Sequence, residues 1–472
     1  MSLLPTDAST IPEAPITYDL SKPLAATEDI SVGQVIFYES AFVTSVGPIE
    51  LEGEHEEECE DSTCPGCERV ANLEDDEQEE MSAAAVEEWG EINEYWNTME
   101  IPPSAEVRKH LCKLFHTYEM DSTSLNELLT LPIHEDESNM TAAVGLREAH
   151  PAVVPPGLSD DQVAQLIGVL DRYCIPLEEI NSTGLFLYVS SLQHSCTPNA
   201  SFTDAEDALW VTAIKPIAAG EVVTVDFFNL YYSSRADRAE VLEGMHLTCS
   251  CDLCLGLSPD RTRAFKCKNE SCTDGIVHPT GDVFACTTCG ATWDNEAIDA
   301  VSKEEIRLMN ELIIYTRAEL ENIIAASPLH RHHYIFYRTF INFMDEAVDE
   351  DMPLDQGLEV YKGLLASLNY VVDYPHAQKI HFLNHMAQTC ILMEDIELAK
   401  SYYEQAYAMS CLVFGETCGE TRMFQRFVEH TPQNVAEMRE MYGHEDTEDE
   451  EEEEEEDDGE EPSVYANFAN VQ

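Results

Sequence analysis

The segment HLTCSCDLC, ending at Cys254, places Cys249, Cys251 and Cys254 in a CxCxxC arrangement. Three thiolates this close wrap one zinc ion, which takes four ligands in a tetrahedron, so a fourth must come from elsewhere in the chain. Cys196, in the polar loop SSLQHSCTPNASF at residues 190–202, is the candidate, with unliganded thiols as the alternative reading. A second group follows at once: FKCKNESC and FACTTCGATW supply Cys267, Cys272, Cys286 and Cys289. Two cysteine turns separated by a strand-compatible run make a zinc-ribbon pattern, and Gly290 suits its knuckle turn, although the first spacing, CxxxxC, is looser than usual. A third group, Cys59, Cys64 and Cys67, lies in acidic sequence, with His55, His110 or Cys112 available as fourth ligand.

The chain around these groups has 472 residues, 44% of them hydrophobic, enough for two or three cored domains. No run of 18 apolar residues occurs, and the N-terminal MSLLPTDAST has no basic region followed by an apolar stretch, so neither a membrane span nor a secretory signal is expected. The expected location is the cytoplasm, with access to the nucleus. In such a reducing compartment the 16 cysteines read as metal ligands rather than disulfides. The net charge is −67, much of it in EGEHEEECED and in the tail EDTEDEEEEEEEDDGEE from Glu445 to Glu461. That density repels nucleic acid and anionic membranes, and no direct contact with either is expected. The tail reads either as a disordered solubilising segment or as a docking strip for basic partners such as histone tails.

The positioning elements are legible from hydrophobic periodicity. From Ile16 onward, ITYDLSKPLAATEDISVGQVIFYESAFV is rich in β-branched and aromatic residues and suggests short strands broken at Gly33. Strand patterning returns between Gly184 and Phe228 in GLFLYVSSL, ALWVTAI and EVVTVDFF, so an acidic, helix-leaning insert splits the β region. Beyond Ser302 apolar residues recur at three and four positions, the helical period. Within that region Leu383, Met386, Ala387, Ala399, Tyr403 and Ala406 occupy the apolar positions of a tetratricopeptide-like hairpin, with a merely helical domain as the alternative.

The loop with HSCxPN, the following EVVTVDFFN and HLTCSCDLC together resemble the C-terminal half of a SET domain, and the layout is similar to SMYD-like lysine methyltransferases. LAATEDISVGQVIFYESAFV resembles the first SET strands. The resemblance implies an α+β protein: a knotted β SET fold with a helical insert and zinc sites, followed by an α-helical repeat domain. The implied boundaries are 1–48 for the first part of the split SET domain and 49–175 for an acidic, cysteine-containing, MYND-like or degenerate insert. Residues 176–256 then form the C-terminal SET and post-SET part, 257–301 a zinc-ribbon-like segment, 302–443 the helical domain and 444–472 the acidic tail. The implied cofactors are S-adenosylmethionine, under the HSCxPN loop, and zinc. The implied substrate is a lysine-containing protein, histone or non-histone.

Residue by residue, His194 takes the position of cofactor contact and loop support, Pro198 and Asn199 the turn positions, and Ser195 and Cys196 the hydroxyl and zinc-ligand positions. Three departures fall at the chemistry. Ser21, Lys22 and Pro23 stand where the family brings a glycine pair close to the cofactor. Gln193 replaces an asparagine. Phe227 stands at the position of the catalytic tyrosine, keeping the ring without the hydroxyl, and Tyr231 and Tyr232 are the nearby candidates to supply one. Two functions follow: a protein-lysine methyltransferase, or a catalytically impaired SET scaffold that binds basic proteins.

Overall fold

The computed structural model describes residues 14–17, 22–46, 95–99, 102–120, 125–133, 136–177, 182–205, 207–312, 316–347 and 352–442. The strands are β1 (Val35–Ser40), β2 (Val43–Val46), β3 (Cys174–Leu177), β4 (Ser182–Leu185), β5 (Gln193–His194), β6 (Ala200–Ala205), β7 (Ala208–Ala213), β8 (Thr224–Val225), β9 (Phe265–Lys266), β10 (Ile276–Thr280) and β11 (Val283–Cys286). The helices before residue 260 are α1 (Ala105–Met120), α2 (Leu125–Leu128), α3 (Glu137–Ala149), α4 (Asp160–Tyr173), α5 (Arg235–Gly244) and α6 (Asp252–Leu255). Those after it are α7 (Asn295–Glu311), α8 (Arg317–Ala326), α9 (Tyr334–Ala347), α10 (Leu354–Val371), α11 (Ala377–Leu392), α12 (Ile396–Val413), α13 (Gly419–Glu429) and α14 (Val435–Tyr442).

The chain forms two compact units. One comprises described residues of 39–191 and 204–209. In it β2, β4 and β3 make an antiparallel sheet in that order, with Val43 opposite Leu185 and Cys174 opposite Leu185 on the other edge. Helix α4 starts at a capping box: Ser159 accepts from the Gln162 amide and the Gln162 side chain accepts from the Ser159 amide. Its apolar face, Val163, Leu166, Ile167 and Leu170, is buried. The run GLFLYVSSL is not a continuous strand: pairing stops at Leu185, and Val189–Ser191 form a 3₁₀ turn. Glu39 explains the stop. Its buried carboxylate accepts from the amides of Leu187, Tyr188 and Val189 at 2.7–3.1 Å, taking donors that a strand would have given to a neighbour. Burial raises the Glu39 pKa, and those three amides oppose the rise.

The other unit holds the rest of the described chain. The sheet β1–β7–β6, in that order, has most of its residues here. Helix α12 ends against it: Trp210 Nε1 donates to the Phe414 carbonyl at 3.1 Å, and a Cβ on Gly33, at φ +83°, would come within 3.1 Å of the Cys411 carbonyl. The ribbon strands β11–β10–β9 are antiparallel in that order. Helices α11 and α12 pack against each other, and Leu383, Met386, Ala387, Ala399, Tyr403 and Ala406 are buried.

The ribbon and the helices share buried charge. Arg263 donates through Nε and Nη2 to both Glu305 oxygens, at 2.8 and 2.5 Å, and His333 Nε2 lies 3.0 Å from Glu305 Oε1. Lys266 Nζ donates to the carbonyls of Ile324, Ala325 and Ser327 at the end of α8, the cationic C-cap that the helix dipole favours. Removing one partner of a buried pair leaves the other charge uncompensated. Glu305→Ala should therefore lower the unfolding free energy by about 3 kcal/mol in urea titrations.

This unit also buries neutral histidines. Burial, with Lys379 nearby, lowers the His376 pKa to about 4, whereas an unfolded histidine titrates at about 6.5. Above about pH 6.5 both states are neutral there, and between about 6.5 and 4 only the unfolded chain takes up the proton. Stability should fall as pH falls through that window, and His376→Phe should flatten the slope of urea midpoint against pH.

Candidate functional site

The site is built around residues 222–225, which are held from both edges. On one edge Ala25 bridges Val222 in antiparallel fashion, the Ala26 amide donates to Glu221 O, and the Val223 amide donates to Leu24 O. On the other, β5 runs parallel to β8, pairing Gln193 with Thr224 and His194 with Val225. The loop after β5 is stapled to the same strand. Asn199, 7% exposed, donates through Nδ2 to Val222 O at 2.9 Å, and its Oδ1 accepts from the Thr224 amide at 2.8 Å. Its own carbonyl accepts from the amides of Ile214 and Lys215. The Ser195 amide donates to Val225 O, and the Ser195 hydroxyl accepts from the Thr197 amide at 3.1 Å.

Lys22 and Pro23 lead into one edge of this strand and are exposed, and Gln193 on the other edge is exposed as well; Ser21 lies outside the described residues. His194 points the other way. Its Nε2 is 3.4 Å from Cys196 Sγ, its Nδ1 is 3.8 Å from Asp226 Oδ1, and its ring packs on Phe228. Burial lowers the His194 pKa and raises that of Asp226 to about 6. The strand ends at Asp226, whose Oδ1 accepts from the Phe228 amide at 3.3 Å, so EVVTVDFF pairs over fewer residues than its pattern suggests.

Phe227 is half-buried, its ring 5.6 Å from that of Phe202 and 6.3 Å from that of Phe228, an apolar aromatic surface with no hydroxyl. The two nearby tyrosines are committed elsewhere. Tyr232 donates to His332 O at 2.9 Å and stacks on Tyr337 at 3.7 Å, and burial raises its pKa. Tyr231 lies against His376, ring centroids 4.2 Å apart, and burial raises its pKa to about 12. Both anchor the end of the site to the helices.

The cysteines converge as their spacing implies. Among the described residues two groups bring metal-ligating atoms within 4.8 Å of one another: Cys196, Cys249, Cys251 and Cys254, and Cys267, Cys272, Cys286 and Cys289. Measured edges are 3.5 Å for Cys196–Cys254, 3.8 Å for Cys267–Cys289 and 3.9 Å for Cys272–Cys286. A zinc tetrahedron with Zn–S arms of about 2.3 Å has edges of about 3.8 Å, whereas a disulfide is about 2.05 Å long, so the donor set fits zinc and not a disulfide. Gly290, at φ +71°, makes the knuckle turn. Gly275 completes the ribbon site, because a Cβ there would lie 2.4 Å from Cys272 Sγ and 2.6 Å from Cys286 Sγ. Cys59, Cys64, Cys67 and His55 lie outside the described residues. His110, one named partner for that group, is buried with Nε2 2.9 Å from Thr183 Oγ1, and burial lowers its pKa to about 4.

Residues 23–228 match the SET domain. The chain carries a SET domain. Its relatives are SMYD-type and other lysine methyltransferases. The protein-lysine N-trimethyltransferase SMYD5 of Gallus gallus is 37% identical over 83 residues, 16% of this chain and 20% of that protein. The N-lysine methyltransferase SMYD2-B of Danio rerio is 22% identical over 231 residues, 48% of this chain and 41% of that protein. The histone-lysine N-methyltransferase ASHR1 of Arabidopsis thaliana is 26% identical over 114 residues, 22% of this chain and 24% of that protein. The matched segments thus span less than half the length of each of these relatives.

Two features of this SET domain were not singled out from sequence. Asp226 faces His194; its signal was a carboxylate inside the apolar run VVTVDFF. Lys215 Nζ donates to Thr197 O at 3.2 Å and sits 4.0 Å over the Tyr374 ring, a contact whose sequence separation hides it.

Metal analysis of the purified full chain should give at least two zincs. Cys251→Ser should remove one and lower thermal stability, since structural zinc binding is folding free energy. Unchanged zinc content in that variant would exclude the first cluster as a metal site.

Proposed function

We propose that this SET-domain protein is a protein-lysine N-methyltransferase using S-adenosylmethionine. The observation that carries the reading is the strand 222–225, flanked on one edge by the exposed Lys22–Pro23 entry and on the other by the exposed Gln193, next to the stapled HSCxPN loop. The exposed Gln193 amide offers a donor and an acceptor to the amino-acid end of the cofactor, Lys22 and Pro23 add side chains where the family has glycines, and a knotted arrangement of loop and strand accords with that placement. When bound, the cofactor supplies an activated methyl group on a sulfonium. The chain's own task is then to align a neutral amine with that methyl and exclude water. Phe227, Phe202 and Phe228 provide apolar walls suited to a lysine side chain.

The two cysteine clusters serve as zinc sites in this reading, the first fixing Cys196 and hence the loop. The substrate is a basic protein segment, histone or non-histone, drawn by the −67 charge, which speeds encounter more than it selects identity. Basic partners also suit the acidic tail, and the helical domain serves as a tetratricopeptide-like flank. Cytoplasm with access to the nucleus is the compartment this reading assumes.

A specific observation favours a second reading, a SET scaffold with impaired catalysis. Phe227 has no hydroxyl, Tyr232 donates its own to backbone, and Tyr231 is packed against His376. Loss of one preorganised polar contact costs about 3 kcal/mol, roughly a hundredfold in rate.

Calorimetric titration of zinc-loaded protein with S-adenosylmethionine and S-adenosylhomocysteine tests the first requirement. Micromolar binding is expected, and none up to millimolar cofactor would leave only the scaffold. Phe227→Tyr should then raise methyl transfer to a lysine-rich protein by up to about a hundredfold with cofactor affinity unchanged. Binding without transfer in either form would favour the scaffold.

A further inference from the structure

Helix α11 carries a pair of imidazoles that neither the methyl-transfer reading nor the cysteine clusters use. His381 and His385 are four residues apart, so their side chains share one face of the helix. Their Nε2 atoms face each other at 3.0 Å, with ring planes at 75°. Tyr361 of α10 stacks on His385 with centroids 5.2 Å apart and planes 5° from parallel, which fixes that ring's orientation. His385 is buried and His381 half-buried, so the pair is rigid on one side and open on the other. Burial lowers their pKa values to about 3 and about 4, so at neutral pH both rings hold the uncharged form that binds metal.

The separation of the two nitrogens is short enough for both to grip one ion. Two metal–nitrogen arms of about 2.05 Å spanning 3.0 Å subtend about 94° at the metal. A tetrahedral ion would need about 3.3 Å between the nitrogens, whereas adjacent positions of a tetragonal or octahedral ion require an angle of about 90°. We propose that His381 and His385 form an open two-imidazole site for a divalent late transition-metal ion of the Ni²⁺ or Cu²⁺ type. The proton now shared between the two Nε2 atoms moves to Nδ1 of its own ring when the ion enters, so both imidazoles stay neutral. Among the described residues no third cysteine, histidine or carboxylate joins the pair, so water or an external ligand fills the remaining positions. A chain of net charge −67 raises the local concentration of divalent cations around it.

The test uses the full-length, zinc-loaded protein titrated with Ni²⁺, followed by calorimetry, metal analysis and nickel K-edge absorption. The expected result is one nickel in addition to the resident zinc, with two imidazoles and oxygens in its shell and no sulfur. His381→Gln, at the half-buried member, should weaken nickel binding by at least tenfold while zinc content and the melting curve stay as in the parent. An oxygen-only shell would place nickel on the acidic runs, and a shell containing sulfur would place it at the cysteines; either overturns the site. So would no binding up to millimolar Ni²⁺, or equal affinity in His381→Gln. Should that variant lose its fold, the ligand shell of the parent protein decides alone. The cofactor titration above is independent of every one of these outcomes.

Discussion

The side-chain amide of Asn199 saturates the strand beside it: it donates to Val222 and accepts from Thr224, while the Asn199 backbone carbonyl collects two more amides from residues 214 and 215. This closes a polar loop onto a half-buried strand by pairing the backbone groups that the loop would otherwise leave without partners, which is the condition for burying such a loop. The other parts of the site inherit their positions from that closure. Cys196 is three residues before Asn199 and reaches the thiols of Cys249, Cys251 and Cys254; Gln193 and His194 pair with Thr224 and Val225 of the same strand. Aspartate could not replace the amide here, because a carboxylate offers no donor to Val222.

Around this closure an acidic chain places some of its scarce cations inside. Lys266 and Lys379 cap helix ends through backbone carbonyls, Arg263 grips Glu305 with two bonds, and Arg238 pairs with Asp260 at 3.1 Å while 0% exposed. Such pairs repay their desolvation only when every donor finds an acceptor. They tie residues 233–266 to the helices that follow.

Much of the scaffold was legible in the sequence because its determinants are local. Cysteines two to five positions apart announce turns that gather thiols, and the apolar positions of α11 and α12 announce their buried faces through helical period. What stayed hidden depends on partners far along the chain. The Tyr232 hydroxyl is taken up by His332 and Ser367, 100 and 135 residues away. Glu39 ends a strand-like run about 150 residues later by capturing its amides. No pattern within either segment encodes such a pairing, so GLFLYVSSL reads as strand and Tyr232 as an available hydroxyl. The position of Phe227 could be read only by resemblance, since its aromatic neighbours follow from the fold.

Gly275 offers the ribbon site only a carbonyl, which accepts from the Cys267 amide at 2.9 Å, yet there is no room for a side chain at its place. A single methyl group there would push against two sulfurs, and the flanking strand β10 leaves little freedom to yield. The lesion would act as a permanent chelator written into the gene: all four thiols intact, reactive and unable to close on one ion. Thiol counting would report a normal protein. The defect would surface as oxidation or misassembly of cysteines that the substitution never touched.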